Sequence, residues 1–361
     1  MWRAQTLPNL YDQDKLSALE AITEAQKIAF APFLFQASWA LRELGILSEL
    51  DKAADFGCSI EELSKTLQID PYGISVLLDM GLSGKLVWKT DERFYLSKVG
   101  HFILNDKMTR TNMDFTQHVC YQPISYIVES IRNGKPEGLK VFGDWETIYP
   151  GLSSLPEPAK STWFEFDHFY SDQAFNEALP HVFANAPTEL FDIGGNTGKW
   201  ALRCIDYNPD VHVSILDLPE QIELAQQMIK KNEADKRISA IPVNVLTTDG
   251  IPPGANVYWM SQFLDCFSEQ EIIHILGTIR ASMDTDARVF IMELFWDRQR
   301  FEGAAFSMNA ISLYFTCLAN GNSRFYRSED MLRCIEQAGF SIEKDIDGLG
   351  FGHTLLQCKA N

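Results

Sequence analysis

Basic charge, paired cysteines and long apolar runs are what this 361-residue chain has little of. Lys and Arg number 31 against 49 Asp and Glu, a formal net charge of −18. Phosphate backbones and anionic lipid faces are held by Lys and Arg, so the balance argues against nucleic acid and membrane surfaces as partners. The seven cysteines are scattered, with no C-x-x-C pair and no metal-ligand spacing. Neither a disulfide framework nor a metal centre is expected, and a reducing cytoplasm is the expected location. The longest uncharged helical run, Ile28 to Leu41, has 14 residues and contains Pro32, Gln36 and Ser38. It is too short to span a bilayer and reads as a buried or dimer-forming helix. The opening residues MWRAQTLPNLYDQDKL lack the basic-then-apolar order of a secretory signal.

What is present is enough apolar material for a large core: 46% of residues are hydrophobic and 12% aromatic, which at this length predicts two domains. Residues 1–106 read as helices followed by a short hairpin. Ser59 and Glu62 form an S-x-x-E capping box, a second helix follows Pro71, and LVWKTDERFYLS gives two strands around Asp91 and Glu92. This is a winged-helix outline, but the segment where a DNA-reading helix would lie, PYGISVLLDMGLSG, has an Asp and neither Lys nor Arg. Dimerisation is the expected role. Residues 107–187 are rich in aromatics and prolines and read as a connecting helical layer. From 188 to 361, short apolar runs alternate with amphipathic ones, the pattern of a mainly parallel sheet covered on both faces; the last two strands are close enough to form an antiparallel hairpin at its edge. The expected fold is therefore α/β, a Rossmann-like sheet behind a helical N-terminal domain.

In such sheets ligands bind beyond the carboxyl ends of the strands. The first strand, FDIGGNTGKW, ends in Asp192 and runs into Gly194, Gly195 and Gly198, where missing side chains let backbone approach a ligand. Twenty-five residues on, ILDLP ends the second strand with Asp217, placed to accept hydrogen bonds from ribose hydroxyls. A phosphate-binding P-loop fails, because Ile193 stands where its first glycine belongs and Trp200 where its Ser or Thr does. A dinucleotide loop wants G-x-G-x-x-G and lacks its spacing here. An Asp two residues before the first glycine suits an ammonium better than a pyrophosphate, so S-adenosylmethionine, with an amino-acid end and an adenosine end, is the best-fitting ligand. A purely structural glycine turn is the competing reading.

The N-terminal outline, FDIGGNTG, ILDLP and the later strands together resemble the small-molecule O-methyltransferases of the plant caffeate and hydroxyindole type and their bacterial relatives, over nearly the whole chain. The resemblance implies a class I methyltransferase fold, S-adenosylmethionine as donor with S-adenosylhomocysteine as product, no metal, and a homodimer built by the N-terminal domain. It implies that Asp192, Gly194, Gly195 and Gly198 hold the methionine and sugar end of the donor. Asp217 and Leu218 would hold ribose and adenine; PVNVL lies where the family has Gly-Asp, so that Asn244 would stand in for its adenine-contacting Asp with Val245 beside it, and Ser261 at the fourth strand's end would complete the donor site. The family's Leu-His-Asp-Trp run aligns with Leu264, Asp265, Cys266 and Phe267, so Asp265 occupies the position of the catalytic His. Glu293 matches one of the two acids that hold that His, while Phe325 replaces the other.

An Asp is a poor match for a phenol. Reference pKa values of about 3.9 and about 10 leave roughly six units, on the order of 8 kcal/mol, for proton transfer. Asp265 is therefore read in three ways: a base towards an acidified hydroxyl, an orienter of the acceptor, or a residue in an enzyme that methylates ring carbon or nitrogen. A structural Asp bonded to nearby amides, or capping the helix after Ser268, competes with these. His168 in WFEFDHFYSDQAF shares a helical face with Phe164 and, less well aligned, Phe175; it is a second catalytic candidate and, with Phe164, Met308, Asn309 and Tyr314, a candidate lining of the acceptor pocket. His353 is expected to be structural. The expected activity is methyl transfer to a small aromatic acceptor, a phenolic hydroxyl of a secondary metabolite or polyene-type pigment head group. Carbon or nitrogen methylation, or a non-catalytic protein retaining the fold, is the alternative.

Overall fold

The computed structural model describes residues 13–248 and 250–361; most of the stretch read for a targeting signal lies outside them. Among the described residues, contacts group 13–117 into one compact unit and 118–361 into the other.

The N-terminal unit contains α1 (Ala18–Ala29), α2 (Ala31–Glu43), α3 (Ile46–Ala53), α4 (Ile60–Leu67), α5 (Pro71–Ser83), strands β1 (Val87–Thr90) and β2 (Arg93–Leu96), then α6 (Lys98–Asn105) and α7 (Lys107–Phe115). Both halves of the capping box at α4 form: the Ser59 hydroxyl accepts from the Glu62 amide at 3.2 Å, and the Ser59 amide donates to the Glu62 carboxylate at 2.8 Å. α5 begins with Pro71 behind an Asp70 cap, where the missing proline N–H costs nothing. The run Ile28 to Leu41 is two helices, broken at Phe30. α1 buries none of its residues, and Leu19, Ile22, Ile28, Phe30 and Phe33 are exposed. The core of this unit lies elsewhere, around Leu41, Leu47, Leu50, Ile74, Leu78 and Phe94.

In the C-terminal unit α8 (Ile127–Asn133), α9 (Ala159–Ser171) and α10 (Phe175–Val182) precede the sheet. Then come β3 (Glu189–Ile193), α11 (Lys199–Tyr207), β4 (His212–Asp217), α12 (Pro219–Lys231), β5 (Ile238–Pro242), β6 (Val257–Ser261), α13 (Glu269–Ser282), β7 (Arg288–Glu293), α14 (Glu302–Tyr314), α15 (Ser328–Gln337), β8 (Phe340–Leu349) and β9 (His353–Ala360). The seven strands lie in the order β5-β4-β3-β6-β7-β9-β8. The first five are parallel; β9 runs antiparallel between β7 and β8. The hairpin expected at the edge is there, with its second strand entering the sheet and its first forming the rim.

Strands buried on both faces explain the apolar runs VYWM and VFIM, and the burial of LFDI with Asp192 inside it. One face packs with α10, α11 and α12, around Trp200, Ile215 and the fully buried Trp259; the other packs with α13 and α15, around Ile272, Ile275 and Tyr258. Trp200 and Trp259 stack at 3.9 Å. Strand order reverses between β3 and β6, and the carboxyl ends of β3, β4, β6 and β7 carry Asp192, Asp217, Ser261 and Glu293. That is where an open α/β sheet binds its ligand. Among the described residues no helix is long and apolar enough to cross a membrane.

Beyond β6 the chain turns sharply at Gln262, which has φ +46°, and passes through a short 3-10 turn, Leu264–Cys266. It then enters α13 through a second complete capping box, Ser268 with Glu271. This box fixes the end of the segment carrying Asp265. Replacing Ser268 by Ala is expected to lower stability by about 1 kcal/mol, the usual worth of an N-cap, read as a lower urea midpoint at unchanged slope. An unchanged midpoint would show that α13 does not depend on its cap.

Candidate active site

The glycine turn is built by two close approaches. Gly194 has φ +74°, and a Cβ there would strike the Phe263 ring; a Cβ on Gly195 would lie 2.6 Å from the Asp192 carboxylate. Only hydrogen fits at these positions. The Gly194 amide donates to the Leu216 carbonyl at 2.8 Å, tying the turn to the end of β4. The Asn196 amide donates to Asp217 at 2.9 Å, and the Leu218 amide to its other oxygen at 2.7 Å. Gly198 caps α11 in the left-handed conformation.

Several polar atoms around this turn are buried without a partner: Asp192 Oδ2, Asn196 Oδ1, Thr197 Oγ1 and, at the end of β6, Ser261 Oγ. Buried polar groups are nearly always hydrogen-bonded, so such a cluster at a strand-end turn is built for something else to satisfy. Asp192 is 2% exposed; burial, and then the neighbouring charge of Asp217, push its carboxyl up to about 8. Asp217 is raised by burial to about 6, held back by the two amides it accepts. A cation beside them would reverse both shifts. Two buried carboxyls with no cation paired to them among the described residues, beside unpartnered hydroxyls and an amide oxygen, fit an ammonium and vicinal hydroxyls, the groups that S-adenosylmethionine presents.

The position read as adenine-contacting differs from its expectation. β5 ends at Pro242, and Asn244 lies exposed in the following turn, where its Oδ1 accepts from the Leu246 amide at 3.0 Å. Val245 is buried against the core on the α13 side. Leu218 opens α12.

Asp265 and Glu293 come together at the ends of β6 and β7. Glu293, 1% exposed, accepts the amides of Phe263 at 3.1 Å and Leu264 at 2.8 Å on Oε1, while Oε2 is buried without a partner. Burial and then Asp265 push its carboxyl well above the usual range. Asp265 is 3% exposed, and the Cys266 thiol donates to it at 3.5 Å. Burial raises it to about 7, the thiol opposes the shift, and the charge of Asp167 adds to it. The cap of α13 is supplied by Ser268, so the helix-capping alternative for Asp265 is already filled. Phe325, where the second acid was expected, packs edge-on against Phe315 at 5.5 Å.

On α9, Phe164 and His168 stack one turn apart at 6.3 Å. Phe175 does not share their face: it begins α10, after a break in the helix, and packs on Trp200 at 5.1 Å. The His168 Nδ1 lies 3.9 Å from Asp167 and 4.0 Å from Asp172; burial lowers its pKa, helped by Lys199. Tyr314 is buried and accepts from the Trp163 indole at 2.7 Å; Met308 is buried, and Asn309 is exposed.

Two groups carry a signal that sequence reading did not isolate. Asp167 accepts from the Asn196 side chain at 3.3 Å and so touches the glycine turn; burial, then Asp172, raise it to about 7. Its side chain is surrounded by protein yet keeps 30% of its surface accessible, which marks a group lining a recess. Tyr149, in a 3-10 turn, places a buried hydroxyl near Cys266, Tyr314 and Asp265, and burial pushes its pKa far up. A mixed-polarity helix face and a short turn gave no pattern to find either one.

A parallel sheet reversing at a glycine turn, with acids at successive strand ends, defines a class I methyltransferase domain. Residues 173–341 match the O-methyltransferase domain model and residues 23–94 the Dimerisation2-like domain model. The match to O-methyltransferase SfmM3 of Streptomyces lavendulae is 25% identical over 184 residues and spans about half of each protein, 50% of this chain and 54% of that one. L-tyrosine C(3)-methyltransferase of the same organism is 22% identical over 321 residues, 88% of this chain and 86% of that protein. The S-adenosylmethionine-dependent methyltransferase SibL superposes with a TM-score of 0.71 at 21% identity, over 94% of this chain and 99% of SibL. The chain carries an O-methyltransferase domain behind a Dimerisation2-like domain and is an S-adenosylmethionine-dependent methyltransferase, with S-adenosylmethionine as its methyl donor.

Raised carboxyls make stability depend on pH in a fixed direction. A carboxyl whose folded pKa lies above its unfolded value contributes stability that is present below the unfolded value and lost as pH rises through the folded one. With unfolded values near 4 and folded values of about 6 for Asp217, about 7 for Asp167 and Asp265 and about 8 for Asp192, the loss begins near pH 4 and continues, as each group drops out in turn, to about pH 8. The buried His353, lowered from about 6.5 to about 4, acts oppositely between those two values and offsets one of the carboxyls there, leaving the loss above about pH 6.5 unopposed. The ligand-free protein should melt at progressively lower temperature from pH 6.5 to 8.5, Asp192→Asn should flatten that slope, and S-adenosylmethionine should raise the melting temperature more at pH 8.5 than at 6.5. A flat or rising profile in the ligand-free protein would count against the carboxylate cluster.

Proposed function

We propose that this enzyme methylates a phenolic hydroxyl of a small aromatic secondary metabolite, with Asp265 as the base. The observation that carries the reading is the burial of Asp265 at the end of β6, which, with the charge of Asp167, raises it to about 7. Against a phenol of about 10, the gap falls from roughly six units to roughly three, about 4 kcal/mol, and a catecholic hydroxyl narrows it further. Bound S-adenosylmethionine supplies an activated methyl on sulfonium. What remains for the protein is alignment and removal of one proton.

In this reading Asp192, Gly194, Gly195, Gly198 and Ser261 hold the amino-acid end of the donor, and Asp217 with Leu218 the ribose and adenine. Asn244 and Val245 contribute through the shape of their loop, since the Asn244 oxygen is engaged with Leu246. Glu293 fixes the backbone of Phe263 and Leu264 and so aims Asp265. Phe164, His168, Met308 and Tyr314 line the acceptor side. His168 positions and shields rather than taking the proton, because burial among Phe164 and its neighbours already lowers its pKa. The exposed apolar residues of α1 and α2 support a homodimer, and the scattered free cysteines support a cytoplasmic location. Carbon methylation ortho to a phenol is the second reading. It is favoured by the Asp in place of a His and by the likeness to an L-tyrosine C(3)-methyltransferase, and the same base would serve it.

Calorimetric titration with S-adenosylmethionine and S-adenosylhomocysteine, repeated on Asp192→Ala, tests the donor site. Micromolar binding lost in the variant supports it, and absence of binding to the wild type overturns the reading in favour of a non-catalytic protein with this fold. With radiolabelled donor and a panel of phenols and catechols, Asp265→Asn is expected to lower kcat by about 10²- to 10⁴-fold and to abolish a rise in rate centred near pH 7, donor affinity being unchanged. An Asn variant retaining full rate would remove Asp265 from the base role.

A further inference from the structure

We propose that Gln262 is a positioning residue of the donor site, held in its strained conformation by His353 so that the Phe263 ring stays against Gly194 and Ser261 stays level with the glycine turn. The inference rests on the donor site read above and adds to it a brace from a strand two places along the sheet.

Gln262 stands immediately after β6 with φ +46°. That region is crowded for any side chain, and glycine would make the same turn at lower cost. The Gln262 amide donates to the Met292 carbonyl at 2.9 Å, a bond that glycine would make equally well. What glycine could not supply is the side-chain oxygen, which meets His353 Nε2 at 3.3 Å.

His353 is placed to hold that contact. It opens β9 and is fully buried, and its neighbour Thr354 pairs with Glu293. β7 lies between β6 and β9, so the imidazole reaches past the end of β7 to the residue leaving β6. From behind, the buried Gln299 side chain donates to the Phe295 carbonyl at 2.8 Å and to the Gly352 carbonyl at 3.1 Å, which fixes the residue before His353. Burial lowers the His353 pKa to about 4, so the ring is neutral and, with its proton on Nε2, donates to the Gln262 oxygen.

Parts of the donor site lie on either side of Gln262. Met260 pairs with Ile193, which brings Ser261 level with Gly194, and Ser261 Oγ is buried without a partner. The Phe263 ring fills the space that a Cβ on Gly194 would need and packs edge-on against Phe267 at 4.9 Å. Glu293 clamps the chain after the turn, and His353 clamps the turn itself. Release of the second clamp would let the Phe263 ring withdraw from Gly194 and swing Ser261 Oγ away, loosening the surface read as holding the amino-acid end of the donor.

Calorimetric titration of S-adenosylhomocysteine into the wild type, Gln262→Gly, His353→Leu and His353→Gln, each with its ligand-free melting temperature, tests the brace. Glycine relieves the strained φ, so Gln262→Gly should melt within about 3 °C of the wild type yet bind about tenfold more weakly. His353→Leu should weaken binding by a similar factor. His353→Gln, whose side-chain amide can stand in the place of Nε2, should return affinity to within about threefold of the wild type. Combining Gln262→Gly with His353→Leu should add no further loss, because both act through one contact. Gln262→Gly binding as tightly as the wild type, or His353→Gln binding no better than His353→Leu, would overturn the proposal and leave the donor site standing. So would weaker binding by Gln262→Gly accompanied by a larger fall in melting temperature, the mark of a residue that serves the fold alone. Failure of the wild type to bind S-adenosylhomocysteine would overturn donor site and brace together.

Discussion

The candidate active site hangs on one carboxylate. Glu293 closes β7, and its Oε1 takes two consecutive amides, Phe263 and Leu264, from the segment leaving β6. That clamp, with the Gln262 amide's bond to the Met292 carbonyl at 2.9 Å, holds the chain in its reversal at Gln262, whose positive φ costs energy in any residue other than glycine. The reversal turns Asp265 inward beside Glu293, and it leaves the Phe263 ring where a Cβ on Gly194 would lie. The glycine turn and the segment carrying Asp265 are thus coupled by contact. The arrangement comes at the cost of burying a carboxyl that has only half its acceptors used.

That cost is repeated around the site. Asp167, Asp192, Asp217 and Asp265 are all raised by burial, so the ligand-free protein holds a group of carboxyls that water would solvate better. Such tension is stored where function needs it and is balanced by the large apolar layers on either side of the sheet. A cationic ligand relieves it, which links binding and stability through the same groups.

Much of this could be read from sequence because it is local. The alternation of apolar runs and amphipathic helices, the glycine turn after Asp192, and the Ser59 and Ser268 capping boxes are patterns of a few consecutive residues, and each became the element it predicted. What escaped depends on distance. Asp167 is one more acid on a mixed helix face until the fold brings Asn196 to it from 29 residues away. Tyr149 acquires its surroundings from Asp265, over a hundred residues later. Phe175 looked in phase with His168 only because an unbroken helix was assumed; the break before α10 sends it to Trp200.

The interleaving of β9 between β7 and β8 has a consequence in time. β7 carries Glu293, yet its outer edge is completed by His353–Ala360, sixty residues further along, rather than by the next strand in sequence. During synthesis on the ribosome, the strand bearing the clamp emerges with an open edge and stays so until β8 has been laid down and β9 has passed back inside it. The parallel half of the sheet can assemble early, but its catalytic margin is closed by the last strand to arrive.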